Sequence, residues 1–217
     1  MSRIKNKYVL GLDVSTTTIG ISFFELNKNN NLKLIELTHF KLKDKKGVDK
    51  NNLNERLLHK IDTFEEYMEK YANIKFDYIV IEEPLLRSNN VNTVGTLLRF
   101  NAMVTKLMHD MYKIVPAMIS SYDARKFAFP DLMTPRKYNR KGELLDESKL
   151  GKPVLFGGYP TDIDKKHVIW EKVSDKESTI SWIYNKKGVL TKENYDAADA
   201  YTCVLGYINK AITNGII

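Results

Sequence analysis

The order in which hydrophobic periodicities follow one another constrains this chain most. Residues 8–14 ("YVLGLDV"), 18–26 ("TIGISFFEL") and 32–40 ("LKLIELTHF") are short runs rich in Val, Ile, Leu, Phe and Thr, with polar breaks between them. Such runs read as strands. "NKNNN" (27–31) is a turn signal, so the three are expected to form an antiparallel meander. A polar loop (41–52) follows, and then Leu53, Leu57, Leu58, Ile61, Phe64, Met68 and Tyr71 recur at helical spacing. "FDYIVIEEP" (76–84) reads as a buried strand that leaves through two glutamates and a proline. Beyond it come a helix over 92–112, a strand over 114–121, a short helix from "YDARKFAF", and helices over 164–173 and 194–212. Three strands followed by alternating strands and helices give an α/β domain with a mixed sheet.

Two stretches stand apart from this alternation. In the 92–112 helix, Val94, Leu97, Leu98, Asn101, Val104, Leu107, Met108 and Met111 line one side, while Phe100 and Met103 extend the apolar surface beyond it. A helix apolar on two sides needs two covering surfaces, its own sheet and either a second subunit or a larger helical cover within one chain. From Pro130 to Tyr159 the chain carries Pro, Gly and charge without a clear period, and 130–163 is expected to be an insertion or mobile loop on a single domain spanning 1–217. No internal repeat is apparent.

A hydrophobic content of 43% supports a real core and excludes a disordered chain. The net charge of +7 suits a polyanionic partner such as nucleic acid, or simply keeps the protein in solution. One cysteine, Cys203, excludes an intrachain disulfide framework and a cysteine-based zinc site, and reads as a small buried hydrophobe. "MSRIKNKYVLGLD" lacks a signal-type apolar stretch, and nowhere do about 18 apolar residues run together, so no membrane span and a reducing, cytoplasmic location are expected.

The residues that carry chemistry are acids. Asp13 lies toward the end of the first strand, and Glu82 and Glu83 end the fourth. If those strands are parallel neighbours, their carboxyl ends lie side by side, the usual site position in α/β sheets. Asp196 and Asp199 are three apart near the start of the last helix and share a face, and Ala197, Ala198 and Ala200 keep that end slim enough to lie close to a sheet. Such a cluster is tolerable only with cations, and oxygen ligands select hard ions such as Mg²⁺. Two such ions about 4 Å apart can activate a water and stabilise the leaving oxygen of a phosphodiester. Taken singly, each acid has a plainer reading: an Asx-type turn for Asp13, a polar strand exit for the glutamates, and the helix dipole for Asp196 or Asp199.

Together, "GLDVSTTTIGIS", "YIVIEEP" and "DAADAYTCVLGY" resemble the RuvC-like Holliday junction resolvases of the RNase H-like superfamily. The resemblance implies an RNase H-like fold, with a mixed five-stranded sheet (three antiparallel strands, then parallel strands) flanked by helices. It places the catalytic and metal-holding acids at Asp13, Glu82, Asp196 and Asp199, with Glu83 the less favoured neighbour of Glu82. It implies Mg²⁺, with Mn²⁺ able to substitute and two ions per site, and a homodimer through helix 92–112 that cuts four-way DNA junctions symmetrically. "MISSYDARKFAF" falls where the family has a strand leading into a basic segment, which makes Arg125 and Lys126 backbone contacts. The length of 130–163 resembles phage-type members, and a Lys/Asn-rich composition suits an AT-rich genome in a bacterial cell or phage-infected host. Bacterial members carry an aromatic wedge after the second acid, where this chain has Leu85 and Leu86.

Further DNA-facing candidates are Arg136, Lys137, Arg140 and Lys141 in "TPRKYNRKGE", then Lys41, Lys43, Lys45, Lys46, Lys165 and Lys166, each cluster being equally readable as solvated surface. Tyr138 is placed to stack on an unpaired base or is an ordinary surface tyrosine; His167 is a proton-transfer candidate or a surface helix residue. Trp170 and Trp182 read as core or interface anchors. The competing functions are a nuclease for flaps, forks or RNA–DNA hybrids, a non-catalytic nucleic-acid binder on the same fold, and an actin-like kinase. The kinase needs two such domains in a much longer chain.

Overall fold

The computed structural model describes residues 6–44, 47, 49, 51–84 and 90–217. Lys45, Lys46, Leu85 and Leu86 lie outside the described residues. Five strands, β1 (Lys7–Val14), β2 (Thr18–Leu26), β3 (Leu32–Lys41), β4 (Tyr78–Glu82) and β5 (Ala117–Ile119), form one sheet in the order β3-β2-β1-β4-β5. The first three pair antiparallel, and β1 with β4 and β4 with β5 pair parallel. Connection length decides this. Tight turns join β1 to β2 to β3, whereas β4 and β5 are reached through crossovers containing α1 (Leu53–Met68) and α2 (Val91–Tyr112).

Both tight turns are built by their own side chains. Ser15 Oγ accepts from the amides of Thr17 and Thr18 and donates to the Thr18 carbonyl, so the β1–β2 turn does not use Asp13. Asn27 Oδ1 accepts from the amides of Asn29 (2.8 Å) and Asn31 (3.1 Å), and Asn30 takes the left-handed conformation (φ 61°) that asparagine tolerates better than most residues.

Strand alternation sends side chains to two cores. Leu10 and Leu12 of β1 and Ile79 and Ile81 of β4 pack with Phe64 and Met68 of α1 and Phe100, Val104 and Met108 of α2. Val9 of β1, Phe24 of β2 and Val80 of β4 face the other way, onto α3 (Ser121–Ala128), α4 (Lys165–Lys176) and α5 (Glu193–Thr213). Each fully buried Leu, Ile or Phe in these cores contributes roughly 1.5–3 kcal/mol.

Helix α5 lies directly on the sheet because the strands beneath it are stripped of bulk. A Cβ on Gly11 would stand 2.7 Å from the Ala200 carbonyl oxygen, and one on Gly20 would run into the Asp196 carbonyl. Ser22 donates a buried hydrogen bond to the Ala200 carbonyl (2.9 Å). The alanines on the helix and the glycines beneath it set the distance between acids on α5 and acids on the strands.

The stretch 130–163 contains a two-stranded ribbon, β6 (Met133–Pro135) against β7 (Pro153–Leu155), with Leu132 and Phe156 buried in the α5-side core. Helix α2 is buried through Phe100, Val104, Leu107 and Met108, while Val91 (82%) and Leu98 (41%) in its first half are exposed. No described helix is long and apolar enough to cross a membrane.

Candidate active site

The four acids arrive at one place by simple periodicities. Asp13 shares the parity of Val9 and Gly11, and Glu82 that of Val80, so both strand acids project to the α5 side of the sheet. Leu12 is registered with Ile81, which puts Asp13 and Glu82 next to each other at the carboxyl ends of two parallel neighbours. Gly20 is the cross-strand partner of Asp13, and the Asp196 backbone lies over Gly20. Asp199 follows one turn later and is buried. Asp13, Glu82, Glu83, Asp196 and Asp199 all line one cleft of about 190 Å³, together with Ser121, Arg125 and Lys166.

Two cations hold the helix acids. Arg125 Nη2 donates to Asp199 Oδ1 (3.0 Å), and Lys166 Nζ reaches both Asp199 Oδ2 (3.2 Å) and Asp196 Oδ1 (3.3 Å). Burial alone would lower the Lys166 pKa, but Asp199, Asp13 and Asp196 outweigh it and raise it. Arg125 behaves likewise, with burial opposed by Asp199 and Glu82. The strand acids are less well served. Among the described residues Asp13 has neither a hydrogen bond nor an ion pair, and burial, then Glu82 and Asp199, push its pKa well above the usual carboxylate range. Among the described residues Glu82 accepts only a long contact from the Cys203 thiol (3.6 Å); burial and Asp199 push it up to about 7 despite Arg125 and Lys166. Burial raises Asp196 as well, and Lys166 pulls against it.

A hard divalent cation fits the chemistry of this donor set. The ligands are all carboxylate oxygens, and one of them, Asp13, has no hydrogen-bond or ion-pair partner among the described residues. Among the described residues, however, no group of three or more His, Cys, Asp or Glu side chains stands close enough to hold an ion as placed. Asp199 spends both oxygens on Arg125 and Lys166, and Lys166 spans it to Asp196. The ammonium occupies the role an ion would take.

The other candidates divide. Arg125 points inward, its side chain only 15% exposed, and grips Asp199 rather than facing outward. Lys126 lies over the Phe127 ring (5.2 Å). Arg136, Lys137, Arg140 and Lys141 are exposed on the β6–β7 excursion, away from the residues lining the acidic cleft. Lys41 pairs with Glu193 (2.6 Å), Lys43 is exposed, and Lys165 lies 5.9 Å from the Phe156 ring. His167 turns to Tyr195 Oη (3.1 Å) and Glu171 (3.5 Å) and does not line the cleft. Trp170 and Trp182 meet edge to face (5.8 Å) against the core.

Two site residues carry more than the sequence reading assigned them. Cys203 stands four and seven residues after Asp199 and Asp196, hence on their face of α5, and helical spacing alone shows this. Lys166 is reachable only once the Asp164 cap (Oδ1 to the amides of Lys166, 3.0 Å, and His167, 3.2 Å) has set the direction of α4.

No known protein-family model matches the sequence, and no curated protein matches it. Solved structures do match in shape. The T. thermophilus RuvC in complex with a Holliday junction substrate superposes with a TM-score of 0.57 at 10% identity, over 96% of this chain and 97% of that one. A second Thermus thermophilus RuvC structure gives 0.49 at 14% identity (95% and 96%). The yeast mitochondrial Holliday junction resolvase Ydc2 gives 0.49 at 11% (93% and 77%). At such identities the likeness is one of fold, carried by the first of these, and the fold is RNase H-like.

Proposed function

We propose that this chain is a divalent-metal-dependent endonuclease that resolves four-way DNA junctions. The observation that carries this reading is the convergence of Asp13, Glu82, Asp196 and Asp199 from three distant segments on one cleft, with Asp13 buried and without a hydrogen-bond or ion-pair partner among the described residues. A structural role would not assemble such a charge and then leave part of it unpaired. A metal bound there would supply a Lewis acid and an activated water for phosphodiester hydrolysis. Asp13 and Glu82 would hold it from the sheet and Asp196 and Asp199 from α5. Arg125 keeps Asp199 oriented, and Lys166 is placed to neutralise the phosphate once it leaves the acids. The shared shape with a RuvC recorded on a Holliday junction favours branched DNA as substrate.

The finer points belong to the same reading. The enzyme works with Mg²⁺ or Mn²⁺, two ions per site, as a homodimer joined through the exposed apolar half of α2, where Val91 and Leu98 lie open. It is a single domain of phage type, with 130–163 as its insertion, acting in the cytoplasm of a bacterial or phage-infected cell.

The test is to incubate the protein with Mg²⁺ and labelled four-way junction, duplex, flap and RNA–DNA hybrid, beside Asp13→Asn and Glu82→Gln variants. Paired symmetric nicks on the junction, lost in both variants while binding persists, are expected. Preferred cutting of the hybrid, or full activity in Asp13→Asn, overturns the assignment. Light scattering at micromolar concentration should return about twice 25.1 kDa, and a single-chain mass removes the symmetric dimer.

A further inference from the structure

The chain does contain a short repeat, contrary to the reading of the sequence alone. Residues 138–144 read "YNRKGEL" and 184–190 read "YNKKGVL", and both fold as the same hairpin. Tyr138 bridges to Leu144, and Tyr184 to Leu190. In the first, Asn139 Oδ1 accepts from the amides of Lys141 (2.8 Å) and Glu143 (3.1 Å); in the second, Asn185 Oδ1 accepts from those of Lys187 (2.8 Å) and Val189 (3.1 Å). Gly142 (φ 80°) and Gly188 (φ 73°) take the left-handed turn position. The turn itself is generic, since 27–31 builds it with Asn27 and Asn30. What the two copies share beyond the turn is a tyrosine at the base and two adjacent cations at the tip, Arg140 with Lys141 and Lys186 with Lys187. All four are exposed, and none has a side-chain partner among the described residues.

Each hairpin is rooted near the first turn of α4, the turn that carries Lys166 into the acidic cleft. The first is held where the Lys137 amide donates to the Gly157 carbonyl (2.8 Å), and its neighbour Arg136 shares a cleft with Lys165. The second is held by Asn194, buried in the first turn of α5. Its side chain accepts from the Ile183 amide (3.0 Å) and donates to the Ile183 carbonyl (2.6 Å), two residues before Asp196. Lys192, at the foot of the second hairpin, shares a cleft with Lys166 and Asp196. The two roots therefore reach the first turn of α4, where Lys166 enters the site, through separate clefts.

We propose that hairpins 138–144 and 184–190 are paired phosphate-gripping fingers, each clamping one backbone run of the nucleic acid presented to the acidic cleft. Hydrogen-bonded hairpins with double cations at their tips, unpartnered among the described residues, suit sequence-independent backbone contact, where each neutralised phosphate releases counterions. The inference rests on the nucleic-acid reading above and is independent of cleavage.

The test measures anisotropy of a labelled four-way junction against salt, in an Asp13→Asn background. The variants are Arg140→Gln with Lys141→Gln, Lys186→Gln with Lys187→Gln, all four together, and Lys28→Gln, on the third hairpin of the same turn, as control. Each finger pair should lower the log–log salt slope by about two and weaken binding roughly 10- to 100-fold at 0.1 M salt. The four-fold variant should lower the slope by about four, and Lys28→Gln should change neither. Unchanged melting temperatures show that the stems stay folded. Unaltered slopes in the finger variants, or an equal loss from Lys28→Gln, overturn the fingers while leaving the nuclease reading intact. Loss of binding in the finger variants, where the wild-type chain with Asp13 intact cuts no junction, supports the fingers and overturns the nuclease. Absence of nucleic-acid binding by the parent protein overturns both.

Discussion

Glu82→Gln should make the metal-free protein more stable at neutral pH, although it removes a residue central to the proposed chemistry. Burial, with Asp199 nearby, raises the Glu82 pKa from its ordinary 4.5 to about 7. Between those values the folded state keeps a proton that the unfolded chain has released, so stability falls as pH rises through this window. Below the window Glu82 contributes nothing; above it the full penalty is present. At about 1.4 kcal/mol for each tenfold change in proton affinity, the penalty is roughly 3 kcal/mol. Glutamine keeps the acceptor for the Cys203 thiol and removes the charge. For a chain of this size roughly 3 kcal/mol corresponds to about 6–12 °C in melting temperature. The assay is thermal and urea unfolding of both proteins in a chelator across pH 4 to 9. The two curves should coincide near pH 4 and separate by that amount above pH 7, and Mg²⁺ at pH 8 should stabilise the wild type more. Parallel curves, or a variant less stable at pH 8, would refute the claim that unneutralised charge is stored at this site.

Other outcomes follow from the packing. Gly20→Val should destabilise by roughly 1–3 kcal/mol or more, because its side chain meets the α5 backbone at Asp196, and circular dichroism melts would show it. Arg125→Met should cost about 3 kcal/mol in urea unfolding, since buried Asp199 then keeps only Lys166. Ser22→Ala should cost about 1 kcal/mol through loss of the buried hydroxyl's bond to the Ala200 carbonyl, with junction cleavage unaffected.

Much of this was legible in the order and period of the chain. The meander, the crossover helices and α5 follow from runs whose polar breaks coincide with real turns, as at Ser15 and Asn27. The acids were legible because parity and the three-residue spacing on α5 are local properties. Arg125 was not: next to Lys126 it reads as a surface cation, and only the packing of α3 on α5 turns it onto Asp199. Lys166 needed the direction of α4, which no local pattern supplies. The strands at 133–135 and 153–155 are three residues long, too short to show a period, and depend on Leu132 and Phe156 reaching a core that earlier segments build. The paired hairpins are hard to read in the sequence because their repeat is only seven residues long and lies 46 positions apart in unlike surroundings.

The central claim, that acids from β1, β4 and α5 hold one divalent centre, is tested most directly by loading the protein with Fe²⁺ and cutting its own backbone with ascorbate and peroxide. The account predicts cleavage confined to the neighbourhoods of Asp13, Glu82 and Asp196–Asp199, suppressed by Mg²⁺ and absent in Asp13→Asn. Cuts at only one of these segments, or scattered cuts that Mg²⁺ does not suppress, would contradict it.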